Sequence, residues 1–437
     1  EALCLTCHAP MVHHDARLAG EKLAAFEDLQ SSAHAFEGVS CTVCHQATPE
    51  GLGEPSSFSG RLDIRDDNTI YGPFADPMIG PMRMHTGYTP MHGEHISESA
   101  LCGSCHTLYT KASPDAEPFL EQAPYLEWRN SLYSTEDATP EEGQSCQECH
   151  MPDAGDMRIA RNPRGFDFAI EVREDVRSHA FVGGNAVMLD LLRDNAEALG
   201  VTASPAALEK LARAARAQLA HETARVTISE ISSEGGELRF DVHVENLTGH
   251  KFPTAYPARR AWLDVEIQDA SGVFFKSGAF DREGRLVGVG DEHLLPHVNL
   301  VTSASEVPVY ERVAADATGQ PTTSLVAMTH TLKDTRLLPA GWRKDGPHAM
   351  ETAPVGTEGD ANFTAGQDTV RYEIALPRET TGDLIFIARL FYQPIPPHWA
   401  DGLRDSETEA AKFFLEALER LGPSPELVHM DTAVFRP

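Results

Sequence analysis

The chain has 437 residues, with 66 acidic against 36 basic side chains and a formal charge of −30 at pH 7. At 23% charged and 41% hydrophobic it is too apolar for a disordered acidic tail, and no run approaches the roughly 20 apolar residues of a transmembrane segment. So acidic a chain repels nucleic acid and anionic lipid, which argues against both as partners.

All eight cysteines precede residue 150. They form four pairs of one spacing, each running straight into histidine: Cys4-Leu5-Thr6-Cys7-His8, Cys41-Thr42-Val43-Cys44-His45, Cys102-Gly103-Ser104-Cys105-His106 and Cys146-Gln147-Glu148-Cys149-His150. C-x-x-C-H is the attachment motif of c-type haem. The two thiols add across the vinyl groups of the porphyrin, and His8, His45, His106 and His150 are then the proximal iron ligands. Zinc sites or disulfides would explain the cysteine pairs but not the histidines. Histidine fills 20 of 437 positions, so chance would place it after all four pairs in roughly four cases per million. Four covalent haem c groups are expected. Such haem is attached outside the cytoplasm, so the protein is expected to be exported, to the periplasm or the cell exterior. The chain opens at Glu1, three residues before the first thiol, and is expected to be a mature form.

Each iron needs a sixth ligand if it serves only electron transfer. Seven further histidines lie in this region: His13, His14, His34, His85, His92, His95 and His179. Methionine is the rival ligand, but the histidine surplus makes bis-histidine ligation the expectation, with a lower potential than Met/His. His34 and His95 each stand seven residues before their C-x-x-C-H motif, nearly two helical turns. Each is placed to reach a neighbouring haem rather than its own. His179 follows the last motif and makes up a deficit, because the fourth site has Thr139 at the equivalent place. His13 or His14 is the fourth distal candidate, with the choice between them open. His85 and His92 are reserves.

The pattern S-x-H-x-x-x-G-V-x-C-x-x-C-H from Ser32 to His45 resembles the multihaem cytochromes related to the tetrahaem electron acceptor of hydroxylamine oxidoreductase. Leu101–His106, Ser145–Pro152 and His179-Ala180-Phe181-Val182-Gly183-Gly184 resemble that group too. The resemblance spans about residues 1–190. It implies a mostly helical, loop-rich fold with haems in alternating near-parallel and near-perpendicular contact, and it admits one five-coordinate haem. Thr139, and Asn130-Ser131-Leu132-Tyr133 where the group has a histidine, are departures.

Pro73, Pro77, Pro81 and Pro90 interrupt the first 180 residues, where porphyrin is expected to serve as the core. Roughly 400 Å² of apolar surface per macrocycle is worth about 10 kcal/mol. Two helices follow. Asn185–Leu199 carries Val187, Met188, Leu191 and Leu192 and stops at Gly200. The second starts at Ser204-Pro205, with Leu208, Leu211, Ala215 and Leu219 on one face. From Arg225 the apolar period drops to two. Val226–Ile228, Leu238–Val244, Ala261–Ile267, Thr369–Ile374 and Asp383–Tyr392 read as strands of an antiparallel β-sandwich. A last helix is expected from a capping box of Ser406 and Glu409, running to Gly422. Asn246–Thr254 (N-L-T-G-H-K-F-P-T) with Arg259-Arg260-Ala261-Trp262, and Lys333–Pro339, resemble β domains that follow the haem region in other exported multihaem cytochromes. His250 reads as a loop histidine.

The expected class is α+β multidomain. A haem-organised helical and loop cytochrome domain spans 1–183, two linking helices 184–223, and a β-sandwich with its C-terminal helix 224–437. The expected function is electron relay, with redox proteins or identical subunits as partners. The second possibility includes a homopolymeric filament resembling tetrahaem nanowire cytochromes. The alternative is a haem enzyme acting on a small nitrogen or sulfur compound at a five-coordinate iron.

Overall fold

A computed structural model describes residues 2–21, 37–136, 141–162, 164–167, 170–380, 382–422 and 425–436. The first helices are α1 (Ala2–His8), α2 (Pro10–Leu18) and α3 (Cys41–His45), followed by strand β1 (Thr69–Gly72). Then come α4 (Ile79–Thr86), β2 (Thr89–His92), α5 (Ser99–Gly103), β3 (Leu108–Thr110), β4 (Phe119–Gln122), α6 (Pro124–Arg129) and α7 (Cys146–His150). Helices α8 (Ala186–Asp194) and α9 (Pro205–Gln218) lead into β5 (Ala224–Glu234), β6 (Glu237–Asn246), β7 (Arg260–Asp269) and β8 (Gly272–Ser277). The chain ends with β9 (Leu300–Val301), β10 (Val309–Ala315), β11 (His330–Asp334), β12 (Gln367–Ala375), β13 (Leu384–Gln393), α10 (Pro397–Asp401), α11 (Glu409–Leu421) and β14 (Glu426–Phe435). Among the described residues no helix is long and apolar enough to cross a membrane.

The chain forms two compact units. The first comprises Glu1–Tyr109, Ala123–Tyr125 and Gln144–Phe181, and the second Thr110–Gln122, Leu126–Gly143 and Val182–Pro437. All four C-x-x-C-H motifs lie in the first. Helices α8 and α9 belong to the same unit as the sandwich, as do 110–122 and 126–143 from between the third and fourth motifs. Buried polar bonds hold these two stretches there. Arg312 donates to the carbonyls of Leu120 and Glu121 at 2.7 and 2.8 Å, and Glu127 pairs with Arg336 at 3.0 Å.

The second unit packs a six-stranded sheet, β11-β10-β7-β13-β14 with β8 alongside β7, against a four-stranded one, β5-β6-β12-β9. Strict alternation builds it. Leu238, Phe240, Val242 and Val244 of β6 point into the core, as do Leu384, Phe386, Ala388 and Leu390 of β13. The β5–β6 hairpin turns on Gly235-Gly236, both left-handed at φ 63° and 84°, which only glycine adopts cheaply in tandem. Strand β7 is buried on both faces over most of its length, because Leu286, Leu295, Val307 and Val309 pack onto Trp262 from outside. The free edge of β5 is capped by side chains of β14: the Val226 amide donates to His429 Nδ1 (3.1 Å) and the Ile228 amide to Asp431 Oδ2 (2.8 Å). Ser204 caps α9 as expected, accepting from the Ala207 amide. The cap of α11 is Thr408 rather than Ser406: Thr408 Oγ1 accepts from the Ala411 amide, while Ser406 bonds Thr408.

Among the described residues of the first unit, Val43, Ala47, Leu62, Ile64 and Leu101 form a small apolar cluster, and the elements are short helices with the parallel pair β1–β2.

Candidate functional site

Each motif is a single helical turn or a turn just past one, and each buries its inner residues. Leu5 and Thr6, Val43, Gly103 and Ser104, and Gln147 are buried, while Cys4, Cys41 and Cys149 are exposed and the other five cysteines are half-buried. His8 and His106 are exposed, and His45 and His150 half-buried. Each motif thus has at least one thiol or imidazole at the surface or half-buried. At the third motif Gly103 is obligatory, since a Cβ would stand 2.6 Å from the Tyr125 ring. At the fourth, Ser145 and Glu148 form a reciprocal capping box that fixes α7. That S-x-x-E signal was available in the sequence.

The motifs converge on the third. Helix α7 is tied to it by the Cys146 amide on Ser99 Oγ (2.9 Å) and by Gln147 Nε2 on the carbonyls of Ile96 and Glu98 (3.0 and 2.8 Å). Cys102 meets Cys146, a contact that with burial pushes the Cys102 thiol up. Cys7 meets Cys105, which pulls Cys7 down to about 7 and pushes Cys105 up. Cys44 and Cys105 join the Val43–Leu101 cluster, and burial raises the Cys44 thiol. Among the described residues no cysteine is in a disulfide.

The histidines fare differently. His45 Nδ1 lies 2.6 Å from the Tyr71 carbonyl. A carbonyl only accepts, so Nδ1 carries the proton and Nε2 presents its lone pair, the arrangement that orients a metal-binding imidazole. Sequence reasoning missed Tyr71 because it acts through its backbone, which leaves no side-chain signature. The His179 ring stands 6.1 Å from that of His45, tilted by 36°, although 29 residues separate it from the last motif histidine. Burial, then the His45 imidazole, push His179 below the usual imidazole value, which keeps it neutral. His13 Nδ1 is buried without a hydrogen-bond partner, and burial, followed by Arg17 and His14, also lowers its pKa. His14 is buried with Nδ1 3.4 Å from the Arg17 guanidinium. His95 is buried edge-on to Tyr71, with Nε2 3.0 Å from the Ala47 carbonyl. His85 and His92 are exposed on α4 and β2. His34 and Thr139 lie outside the described residues.

These residues fit haem c better than zinc. A Cys₄ zinc site needs four thiolates converging on one ion at about 2.3 Å per bond. Among the described residues no three His, Cys, Asp or Glu side chains converge in that way. The unit meanwhile exposes the apolar side chains Leu3, Ile79, Met84, Met157, Ile159, Phe166 and Phe181.

No family model matches the chain, and no curated protein matches it. Among solved structures it is similar to a penta-heme cytochrome c552 from Thermochromatium tepidum, with a TM-score of 0.56 and 18% sequence identity over 99% of this chain and 84% of that one. The chain therefore shares the fold of that cytochrome, and it carries four C-x-x-C-H motifs of its own.

Proposed function

We propose that the protein is a tetrahaem c-type electron-transfer protein working outside the cytoplasm. When bound, each haem supplies a one-electron iron centre. Cys4 and Cys7, Cys41 and Cys44, Cys102 and Cys105, and Cys146 and Cys149 would hold the four groups as thioethers, with His8, His45, His106 and His150 as fifth ligands. The observation that carries this reading is the His45–His179 pair. Two imidazoles on opposite faces of one iron, at roughly 2 Å per bond, set their ring centres about 6 Å apart, and here the rings stand at 6.1 Å. His13, with its unpartnered Nδ1, is the better of the first two candidates for another sixth position. His14, His34, His95, His85 and His92 complete the distal set. The surface charge of −30 suits transient docking to a basic redox partner. Identical subunits joined into an extracellular filament are the other arrangement proposed.

One observation favours a second reading. His95 spends Nε2 on the Ala47 carbonyl, so the iron it was expected to close would keep an open position for a small nitrogen or sulfur compound. A pyridine haemochrome assay with electron paramagnetic resonance tests both readings. Four haems per chain, all low-spin, are expected for the carrier; a high-spin ferric signal that moves on adding hydroxylamine supports the enzyme. Protein free of haem refutes both.

A further inference from the structure

The haem reading uses the cysteines and histidines of the first and third motifs, but not the turn that stands between them. Ser57–Gly60 lies in sequence between the second and third motifs, and Ser57, Phe58 and Ser59 are buried. Ser59 and Gly60 are consecutive left-handed residues, at φ 63° and 75°. For a serine that conformation costs on the order of 1 kcal/mol and persists only where the surroundings dictate it.

Here they do so from two sides. Towards the third motif, the Ser59 amide donates to the Thr107 carbonyl and the Gly60 amide to the Ser104 carbonyl, both at 2.8 Å, while Ser59 Oγ accepts from the Tyr109 amide at 3.0 Å. Ser104 and Thr107 are completely buried. Towards the first motif, Thr6, which sits between the two cysteines, holds Oγ1 3.0 Å from the Ser59 carbonyl and 2.7 Å from the Leu3 carbonyl, so that its one hydroxyl proton is shared between them. There is no room for a side chain on Gly60: a Cβ would lie 2.8 Å from both Cys7 Sγ and the Thr6 carbonyl oxygen. The turn is thus pressed between the backbones of the two motifs, whose thiols Cys7 and Cys105 touch.

We propose that Ser59 and Gly60 are positioning residues, a clamp that fixes how closely the first and third motifs approach and thereby the redox interaction between the groups they carry. The inference rests on the haem reading. Neighbouring charges interact in inverse proportion to their separation, so a small displacement at this contact changes how reduction of one site disfavours reduction of the other. Gly60→Ala inserts a methyl where atoms stand at 2.8 Å, and ordinary contact requires a retreat of roughly 0.7 Å. Thr6→Val removes the hydroxyl shared between the Ser59 and Leu3 carbonyls at nearly constant volume.

The experiment is a spectroelectrochemical titration of the holoprotein and both variants, with haems counted by pyridine haemochrome. Four haems are expected throughout. In Gly60→Ala two of the four midpoints should move, changing the electron-sharing equilibrium between those sites by about threefold, which is roughly 30 mV for one electron; the other two should stay in place. Thr6→Val should move the same two by less. Four retained haems with unchanged midpoints in both variants, or all four midpoints moving together, would overturn the clamp and leave the haem reading intact. If Gly60→Ala does not load haem, Thr6→Val decides alone. Wild-type protein without haem overturns the haem reading, and the clamp with it.

Discussion

Asp334 lies at the end of β11, and removing its carboxylate tests the buried charge network of the second unit. The side chain is 6% exposed and accepts from Lys251 Nζ at 2.7 Å and from Arg336 Nε and Nη2 at 2.8 and 2.7 Å. Burial alone would raise this carboxyl, but the Arg336 and Lys251 charges outweigh it and hold Asp334 well below the usual carboxylate range. Lys251 is fully buried, and burial brings it down to about 8 even with Asp334 beside it. In Asp334→Ala, Arg336 keeps Glu127 at 3.0 Å, while Lys251 keeps the Ala353 carbonyl at 3.3 Å. Stranding one member of a buried pair costs about 3–5 kcal/mol. Since Arg336 retains a carboxylate, the lower end applies, about 3 kcal/mol, or roughly 6–12 °C in Tm for a unit of this size.

Lys251→Met in the same background removes the stranded ammonium. The double variant should therefore lose less than the sum of the two single losses, by about 1–2 kcal/mol. Calorimetry of the full chain in all four combinations reads both quantities. A loss below about 1 kcal/mol for Asp334→Ala, or additivity within about 0.5 kcal/mol, refutes the network as a coupled unit.

Asp368→Asn should stabilise the protein at neutral pH. Burial raises the wild-type carboxyl to about 6, against the bond it accepts from Tyr310 OH at 2.9 Å. The folded state then holds a proton that the unfolded chain, at about 4, has released. Its contribution is therefore fully present below pH 4 and lost as pH rises through about 6. The variant should gain on wild type by about 1–3 kcal/mol between pH 4 and 7, and a gain independent of pH in urea titrations at pH 4.5 and 7 rules the account out. His179→Ala should turn one low-spin haem high-spin and leave the rest, with added imidazole restoring it; His85→Ala should leave the low-spin spectrum as it is. An unchanged electron paramagnetic resonance spectrum in His179→Ala removes that histidine from the iron.

What was legible in the sequence was what side chains carry at fixed spacing. The four C-x-x-C-H motifs need only local helical geometry, so their residues can be read without the fold. Strands β5, β6, β12 and β13 announce themselves because one face of each is buried and the period of two survives, while β7, buried on both faces over most of its length, shows as the apolar-rich stretch Ala261–Ile267. β14 does not: its alternation pairs Val428 inward with exposed Leu427 and Met430, apolar on both faces, so the pattern blurs. The two-residue β9 is too short to show any period. The attachment of 110–122 and 126–143 to the sandwich unit was also invisible. It rests on Glu127 and Arg312 finding partners roughly 190–210 residues away, and no local pattern encodes such pairing. Tyr71 and Ser59 were hidden for a related reason, since a carbonyl or an amide does the work and any residue has those.

The segment Asn246–Thr254 looked rich enough to be a site, and its structure argues otherwise. Asn246 Nδ2 donates to the carbonyls of His250, Leu337 and Leu338 at 2.8, 3.3 and 3.0 Å, and Thr248 bonds Asn246 Oδ1 through its amide and hydroxyl. His250 Nδ1 lies 2.9 Å from the Lys251 carbonyl, and Lys251 itself is committed to Asp334. Phe252 pairs with Leu337 through both backbone bonds, which joins this segment to Lys333–Pro339, the other stretch that resembled a β-domain element. The polar groups named here are spent within the lock between the two segments. A catalytic or ligand-binding group needs a donor or acceptor left over for something else, and the lock leaves none of these. In the first unit the balance is reversed: Tyr71 takes His45 Nδ1 and leaves the Nε2 lone pair available, and a buried His13 nitrogen has no hydrogen-bond partner. Chemistry is to be sought where the polypeptide has left its own valences unspent, and that is around the four motifs.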